Sequence, residues 1–203
     1  MSKKRVVVGI CGATGTQIGV KVLEVLSDLG IESHTIVSRW GVQTLTQETG
    51  LSLDDIRKKS FIVYSSTDMG AAISSGSFNV DSMIIAPCSM RSLAAIATGL
   101  GDNLIHRTAD VMLKERRKLI IVPRETPLSE IHLSHMLQLS RMGVTIMPPN
   151  PAYYNHPSSL DDIVNQFVAR LLDQINIEVP FAQRWHGMHK TSANIVKMEK
   201  VEE

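Results

Sequence analysis

Arg124-Glu125 directly follows an apolar run, Lys118–Val122, and precedes Thr126-Pro127. An Arg guanidinium can grip a phosphate through two parallel hydrogen bonds. A Glu set among phosphate oxygens holds its proton more tightly than usual and can pass it to a leaving phosphate. The plainer reading is a structural Arg–Glu pair. Arg107, Asp110 and Lys114 are spaced by three and then four residues, which places them on one helix face. That face is either solvated and salt-bridged or turned towards a phosphate. Tyr153-Tyr154 follows Pro149-Asn-Pro151-Ala, so that one ring can pack while the other presents its hydroxyl. Arg170 stands amid Val168, Leu171 and Leu172, where the plain reading is a surface cation whose stem covers apolar surface.

Two small-residue loops could approach a ligand with their backbone. Gly9-Ile-Cys-Gly12-Ala-Thr-Gly15 joins a strand pattern to a helix pattern, where glycines let N–H groups meet an anion. It lacks the full dinucleotide spacing, and the second strand ends in Val37-Ser-Arg39 without a ribose-binding carboxylate. A mononucleotide fits better, and a tight turn is the alternative. Pro87-Cys-Ser-Met-Arg-Ser92 opens another helix, with Ser89 and Ser92 as caps or as ligand contacts. His132 and His135 have no acidic or cysteine companion, so no metal site is expected. Asp54-Asp55 and Asp161-Asp162 each open a helix, where capping and the helix dipole account for them.

These residues need a scaffold, and the pattern supplies one. Short β-branched runs at Arg5–Ile10, Ser33–Val37, Phe61–Tyr64, Ser82–Pro87, Lys118–Val122 and Thr145–Met147 read as strands. Helical periods occupy Thr16–Leu29, Trp40–Thr49, Leu53–Lys59, Met90 to about Leu100, Asn103–Arg117, Leu128–Met142 and Ser159–Ile175. Such alternation predicts one α/β domain over 1–187, an open parallel sheet of Rossmann-like or flavodoxin-like type with helices on both faces. Ligands of such sheets bind at the carboxyl ends of the strands, where the polar clusters fall. Residues 188–203 read as a C-terminal tail expected to fray.

The bulk numbers exclude several classes. The chain has 203 residues, 43% hydrophobic and 20% charged, with a net charge of +1. That balance points to neither a nucleic-acid nor a membrane partner. No apolar run approaches the ~18 residues of a membrane span. Two cysteines, Cys11 and Cys88, without a secretion signal point to a reducing cytoplasm.

In their order the clusters resemble the UbiX-type flavin prenyltransferases, including the B subunits of phenolic-acid decarboxylases. The matching stretches are Gly12-Ala-Thr-Gly15, Ile73-Ser-Ser-Gly-Ser-Phe78, Pro87-Cys-Ser-Met90, Ala109–Arg117, Arg124–Leu128, Pro148–Tyr154 and Arg184-Trp185. The resemblance implies an enzyme that binds reduced FMN beside dimethylallyl phosphate, expels phosphate without a metal, and joins the dimethylallyl group to flavin N5 and C6. The prenylated FMN would serve a UbiD-type decarboxylase. It implies FMN contacts at Gly12, Ala13, Thr14, Ser38, Ser89, Met90, Arg91, Ser92, Arg107 and Arg124. Arg107 would reach a neighbouring subunit's flavin. Lys114, Arg124, Glu125, Tyr154 and Arg170 would hold the allylic phosphate. Glu48 and Glu125 would be the acid–base carboxylates, with Thr14 and Lys114 also in the catalytic set. Trp185 would wall the allyl cation. Many members have Ser where this chain has Thr14. A homododecamer with sites at subunit junctions is implied. Two rivals share the fold: an FMN-dependent cysteine-type decarboxylase and a non-catalytic flavin carrier or assembly subunit.

Overall fold

The computed structural model describes residues 4–187. The expected tail at 188–203 lies outside the described residues. Six strands form one sheet: β1 (Arg5–Ile10), β2 (Glu32–Val37), β3 (Ile62–Ser65), β4 (Ser82–Cys88), β5 (Lys118–Pro123) and β6 (Thr145–Ile146). Their order is β3-β2-β1-β4-β5-β6, and every neighbouring pair is parallel. The helices are α1 (Thr16–Asp28), α2 (Arg39–Thr49), α3 (Leu53–Lys59), α4 (Met90–Thr98), α5 (Leu104–Lys114), α6 (Glu130–Arg141) and α7 (Leu160–Asp173).

The central strands are apolar along their length because both faces are covered. Alternate residues serve opposite layers. Val6, Val8, Ile10, Ile84, Ala86, Ile120 and Val122 pack with α1 and α7. Val7, Met83, Ile85, Leu119 and Ile121 pack with α4 and α5. Each such aliphatic side chain contributes about 1.5–3 kcal/mol on full burial.

The helix ends differ from the periodicity in ways that capping explains. The fifth helix starts after Asn103, whose side chain accepts the His106 N–H, and stops before Arg116 enters positive φ at 54°. The sixth starts at Glu130, because Ser129 accepts the His132 N–H as its cap. Asp55 and Asp162 close capping boxes with Ser52 and Ser159, the expected role of those acidic pairs.

Among the described residues no helix is long and apolar enough to cross a membrane. The chain runs outward from β1 to β3 and then crosses back to β4. The switch point therefore lies between β1 and β4, where sheets of this type open a crevice.

Candidate functional site

Backbone hydrogen bonds lace the loops at the carboxyl edge together. Cys11 N–H donates to Pro87 O at 3.0 Å, Ser38 N–H to Ile10 O at 2.9 Å, and Arg124 N–H to Cys88 O at 3.1 Å. Gly12–Thr14, Ser38, Ser89–Ser92 and Arg124-Glu125 are thus gathered on one edge, four of the polar clusters expected there.

The first loop is shaped by its glycines. Gly15 has φ of 98°, a left-handed conformation. A Cβ on Gly12 would stand 2.4 Å from the Trp40 Cβ, so only glycine lets α2 approach this close. The anion at the start of α1 is the chain's own Glu48. Its carboxylate accepts Gly15 N–H at 3.0 Å, Thr16 N–H at 2.8 Å and the Thr16 hydroxyl at 2.7 Å. Burial pushes the Glu48 carboxyl up. Hydrogen bonds from Thr14, Thr16 and the Gly15 amide outweigh this and hold it below its ordinary value. Within the chain an internal carboxylate thus takes the Gly15 and Thr16 amides.

Ser38 caps α2 by accepting the Gly41 N–H at 3.0 Å, and Ser89 caps α4 by accepting that of Ser92. Met90 is half-buried against the core. Arg91 is exposed and pairs with Asp102 at 2.8 Å. Arg124 and Glu125 are exposed. Glu125 accepts the Thr126 N–H at 3.0 Å, and Arg124 makes no salt bridge among the described residues.

Other expected site residues stand elsewhere in the chain. Arg107 donates to Ser74 O at 3.1 Å and pairs with Asp110 at 2.7 Å. Lys114 does not join them; it pairs with Glu115 at 2.5 Å. The helix α5 starts at the carboxyl edge, where Leu104 N–H donates to Ser66 O, and its last turn leads into Lys118, the first residue of β5. Lys114 therefore lies at the amino edge, about one strand length, ~20 Å, from Arg124. Arg170 is similarly placed. It lies ten residues, ~15 Å, down α7 from Leu160, and pairs with Asp173, which Arg184 also grips. Within one chain, Lys114 and Arg170 are not brought to Arg124 and Glu125. Tyr154 and Trp185 meet edge to face with ring centroids 5.2 Å apart.

One constellation escaped the sequence reading. His106, 2% exposed, has Nδ1 2.6 Å from Asp102 Oδ1 and Nε2 3.0 Å from Ser92 Oγ. An Asp and a His spaced i, i+4 at a helix start were the available signal. His132 accepts the Ser129 N–H, a capping role. Among the described residues no three His, Cys, Asp or Glu side chains converge as metal ligands.

A flavoprotein family profile matches residues 1–172. The chain is 53% identical over 190 residues to the "Probable UbiX-like flavin prenyltransferase" of Streptomyces sp. (strain D7), covering 93% of this chain and 95% of that protein. Among solved structures it is similar to AnUbiX (PadA1) in complex with FMN and dimethylallyl pyrophosphate. That match has a TM-score of 0.91 at 47% identity and covers 93% of this chain and 100% of the other. It is also similar to a dodecameric FMN-dependent UbiX-like decarboxylase from Escherichia coli O157:H7. There the TM-score is 0.89 at 50% identity, over 90% of this chain and 100% of the other.

Proposed function

The chain belongs to the UbiX-like flavin prenyltransferases, and from that premise we propose that it joins a dimethylallyl group to N5 and C6 of reduced FMN. The donor is dimethylallyl phosphate, and the product serves a UbiD-type decarboxylase. The observation that carries this reading is the lacing of Arg124-Glu125 to the end of β4. Through it a guanidinium with no salt bridge among the described residues and the Glu125 carboxyl group stand beside the Ser89–Ser92 loop at the switch point.

The donor set fits FMN. Hydroxyls of Thr14, Ser38 and Ser89 border the crevice, and the Arg124 guanidinium matches a phosphate. Gly12, Ala13, Met90, Arg91, Ser92 and Arg107 complete the contacts that the family resemblance implies. When bound, reduced FMN supplies the two ring positions that receive the allyl group. Arg124 offsets the charge of the leaving phosphate, and Glu125 hands that phosphate a proton. The Thr14 hydroxyl would take a proton released at the ring as it passes its own hydrogen to the Glu48 carboxylate, which would hold it.

Lys114, Tyr154, Arg170 and Trp185 complete the phosphate pocket and allyl wall from neighbouring copies in a homododecamer. Two observations support assembly: the distance of Lys114 and Arg170 from Arg124 within one chain, and the exposed apolar side chains Ile131, Leu133 and Leu137 on α6. Both cysteines are buried and unbridged, in keeping with a reducing cytoplasm.

Purified protein incubated without oxygen with reduced FMN and dimethylallyl phosphate should yield flavin of increased mass. Recovery of unmodified FMN alone would favour the carrier reading. Release of carbon dioxide from a peptidyl cysteine would favour the decarboxylase.

A further inference from the structure

The Glu48 carboxylate reaches from the end of α2 to the start of α1, and its two oxygens are used unequally. Oε2 accepts the Thr16 hydroxyl at 2.7 Å, the Thr16 N–H at 2.8 Å and the Gly15 N–H at 3.0 Å. Oε1 only shares that Gly15 N–H, at 3.1 Å. A carboxylate oxygen offers about two lone-pair sites. Oε2 is therefore saturated, and Oε1 keeps room for a proton.

The partner fixes the direction of the Thr16 bond. An ionised carboxylate only accepts, so the hydroxyl hydrogen lies between Thr16 Oγ1 and Oε2. Thr16 is 0% exposed, and its hydroxyl makes no second hydrogen bond among the described residues. Hydroxyl and backbone N–H of one residue thus close on one oxygen, a two-point grip that sets how the carboxylate is turned.

Charged groups do not compete for it. Lys21 and Glu24 on α1 and Asp161 on α7 line a cavity of about 380 Å³ together with Glu48. None of them pairs with Glu48 among the described residues. Lys21 lies 3.9 Å from Glu24, which Lys59 holds at 2.9 Å. The Gly12–Gly15 loop carries no charge, and Arg39 stands at the opposite end of α2. Hydrogen bonds therefore set the state of Glu48. Burial pushes its carboxyl up, and the Thr14, Thr16 and Gly15 donors hold it below its ordinary value.

We infer that Thr16 is a positioning residue for prenyl transfer: its buried hydroxyl holds Glu48 by Oε2, so that Oε1 is presented to receive the proton that Thr14 passes on. The inference rests on the reading above, in which Thr14 relays a proton released at the ring to Glu48. Thr14 gains one proton and gives up another, and Glu48 goes from carboxylate to neutral carboxyl. Thr16 keeps its own hydrogen throughout and acts only through Glu48. Without it the carboxylate can turn about its last bond and meet Thr14 with either oxygen or neither.

The test compares full-length wild type with Thr16→Val, which copies the shape without the hydroxyl, and Thr16→Ser, which keeps the hydroxyl without the methyl. Thr16→Ala is a second, smaller replacement that lacks the hydroxyl. Single-turnover prenyl transfer is measured at saturating reduced FMN and dimethylallyl phosphate. The Glu48 carboxylate is titrated in ligand-free protein by infrared difference against Glu48→Gln. In Thr16→Val and Thr16→Ala the transfer rate should fall at least about tenfold, with the dissociation constant of FMN unchanged. The Glu48 titration should move up by about one pH unit, the worth of one hydrogen bond to a charged group. The acid limb of the rate profile should move with it, because the relay needs the ionised carboxylate. Thr16→Ser should recover both rate and titration. A wild-type rate in Thr16→Val would overturn the inference. So would a slow variant whose Glu48 titration has not moved, or a loss that Thr16→Ser does not recover, since either marks Thr16 as merely structural. Wild-type protein that makes no prenylated flavin would overturn the functional reading, and this inference with it.

Discussion

The Glu48 carboxylate receives both the backbone N–H and the hydroxyl of Thr16, at 2.8 and 2.7 Å. It thereby closes the helix start that a ligand phosphate would otherwise meet. A negative charge in this position interacts favourably with the α1 dipole. Glu48→Gln should cost about 1 kcal/mol at neutral pH, read as a lowered thermal midpoint. The folded pKa of Glu48 is depressed below the ordinary 4.5, so its contribution is present above that pH and lost as pH falls through the folded value. The gap between wild type and Glu48→Gln should be constant from pH 8 to 5 and should close under stronger acid. A gap that persists at pH 3 would show that the charge is not what stabilises.

Glu125→Gln should retain FMN and lose most prenyl transfer. General acid catalysis is worth about 10²–10⁴ in rate, and Gln copies the shape of Glu without its proton. Single-turnover rates at saturating dimethylallyl phosphate make the decision. A near-wild-type rate there would reduce Glu125 to an orienting partner of Arg124.

Lys114→Ala and Glu125→Gln should each be inactive alone yet complement one another in mixed oligomers. The two side chains lie at opposite edges of one sheet, so a working site draws them from different chains. In random co-assembly about a quarter of sites would hold both native side chains. Co-expressed, differently tagged subunits purified through both tags provide the assay. Activity no higher than that of the separate variants would place both residues in the service of one chain. Leu137→Glu, on the exposed apolar face of α6, should shift the sedimentation profile towards smaller species.

His34 should make the fold sensitive to mild acid. It is 1% exposed, its Nδ1 lies 2.9 Å from the Tyr64 hydroxyl, and its Nε2 has no partner. Burial, followed by the charge of Arg5, pushes its pKa down, with Glu32 opposing. The unfolded chain then binds more protons than the native one in this window, so stability is full above the ordinary value of 6.5 and falls on acidification. The thermal midpoint should drop between pH 7.5 and 5.5, and His34→Phe should remove part of that drop. His106, which burial also holds below its ordinary value, contributes to what is left. An identical slope in the variant would exonerate His34.

The strands, the helices and the edge that carries the site were legible along the chain. Arg5–Ile10 and Leu53–Lys59 appear with the boundaries that their periodicity predicts. Apolar runs buried on both faces and Ser or Asn caps are local signals, and they act within a few residues. The polar clusters after β1, β2, β4 and β5 follow from the same logic, because parallel strands present all their carboxyl ends together.

Only the tertiary structure decided which of those residues meet. Lys114 and Arg170 sit near the ends of helices that run back against the strands, so the resemblance groups them with Arg124 while helix direction carries them ~15–20 Å from it within one chain. Glu48 reaches the Gly12–Gly15 loop, and His106 reaches Ser92, through packing between elements far apart in sequence. Periodicity describes which face of an element is apolar. It holds no information on which polar side chain of one element will find a donor on another, since that depends on inter-element distances set only when the core closes.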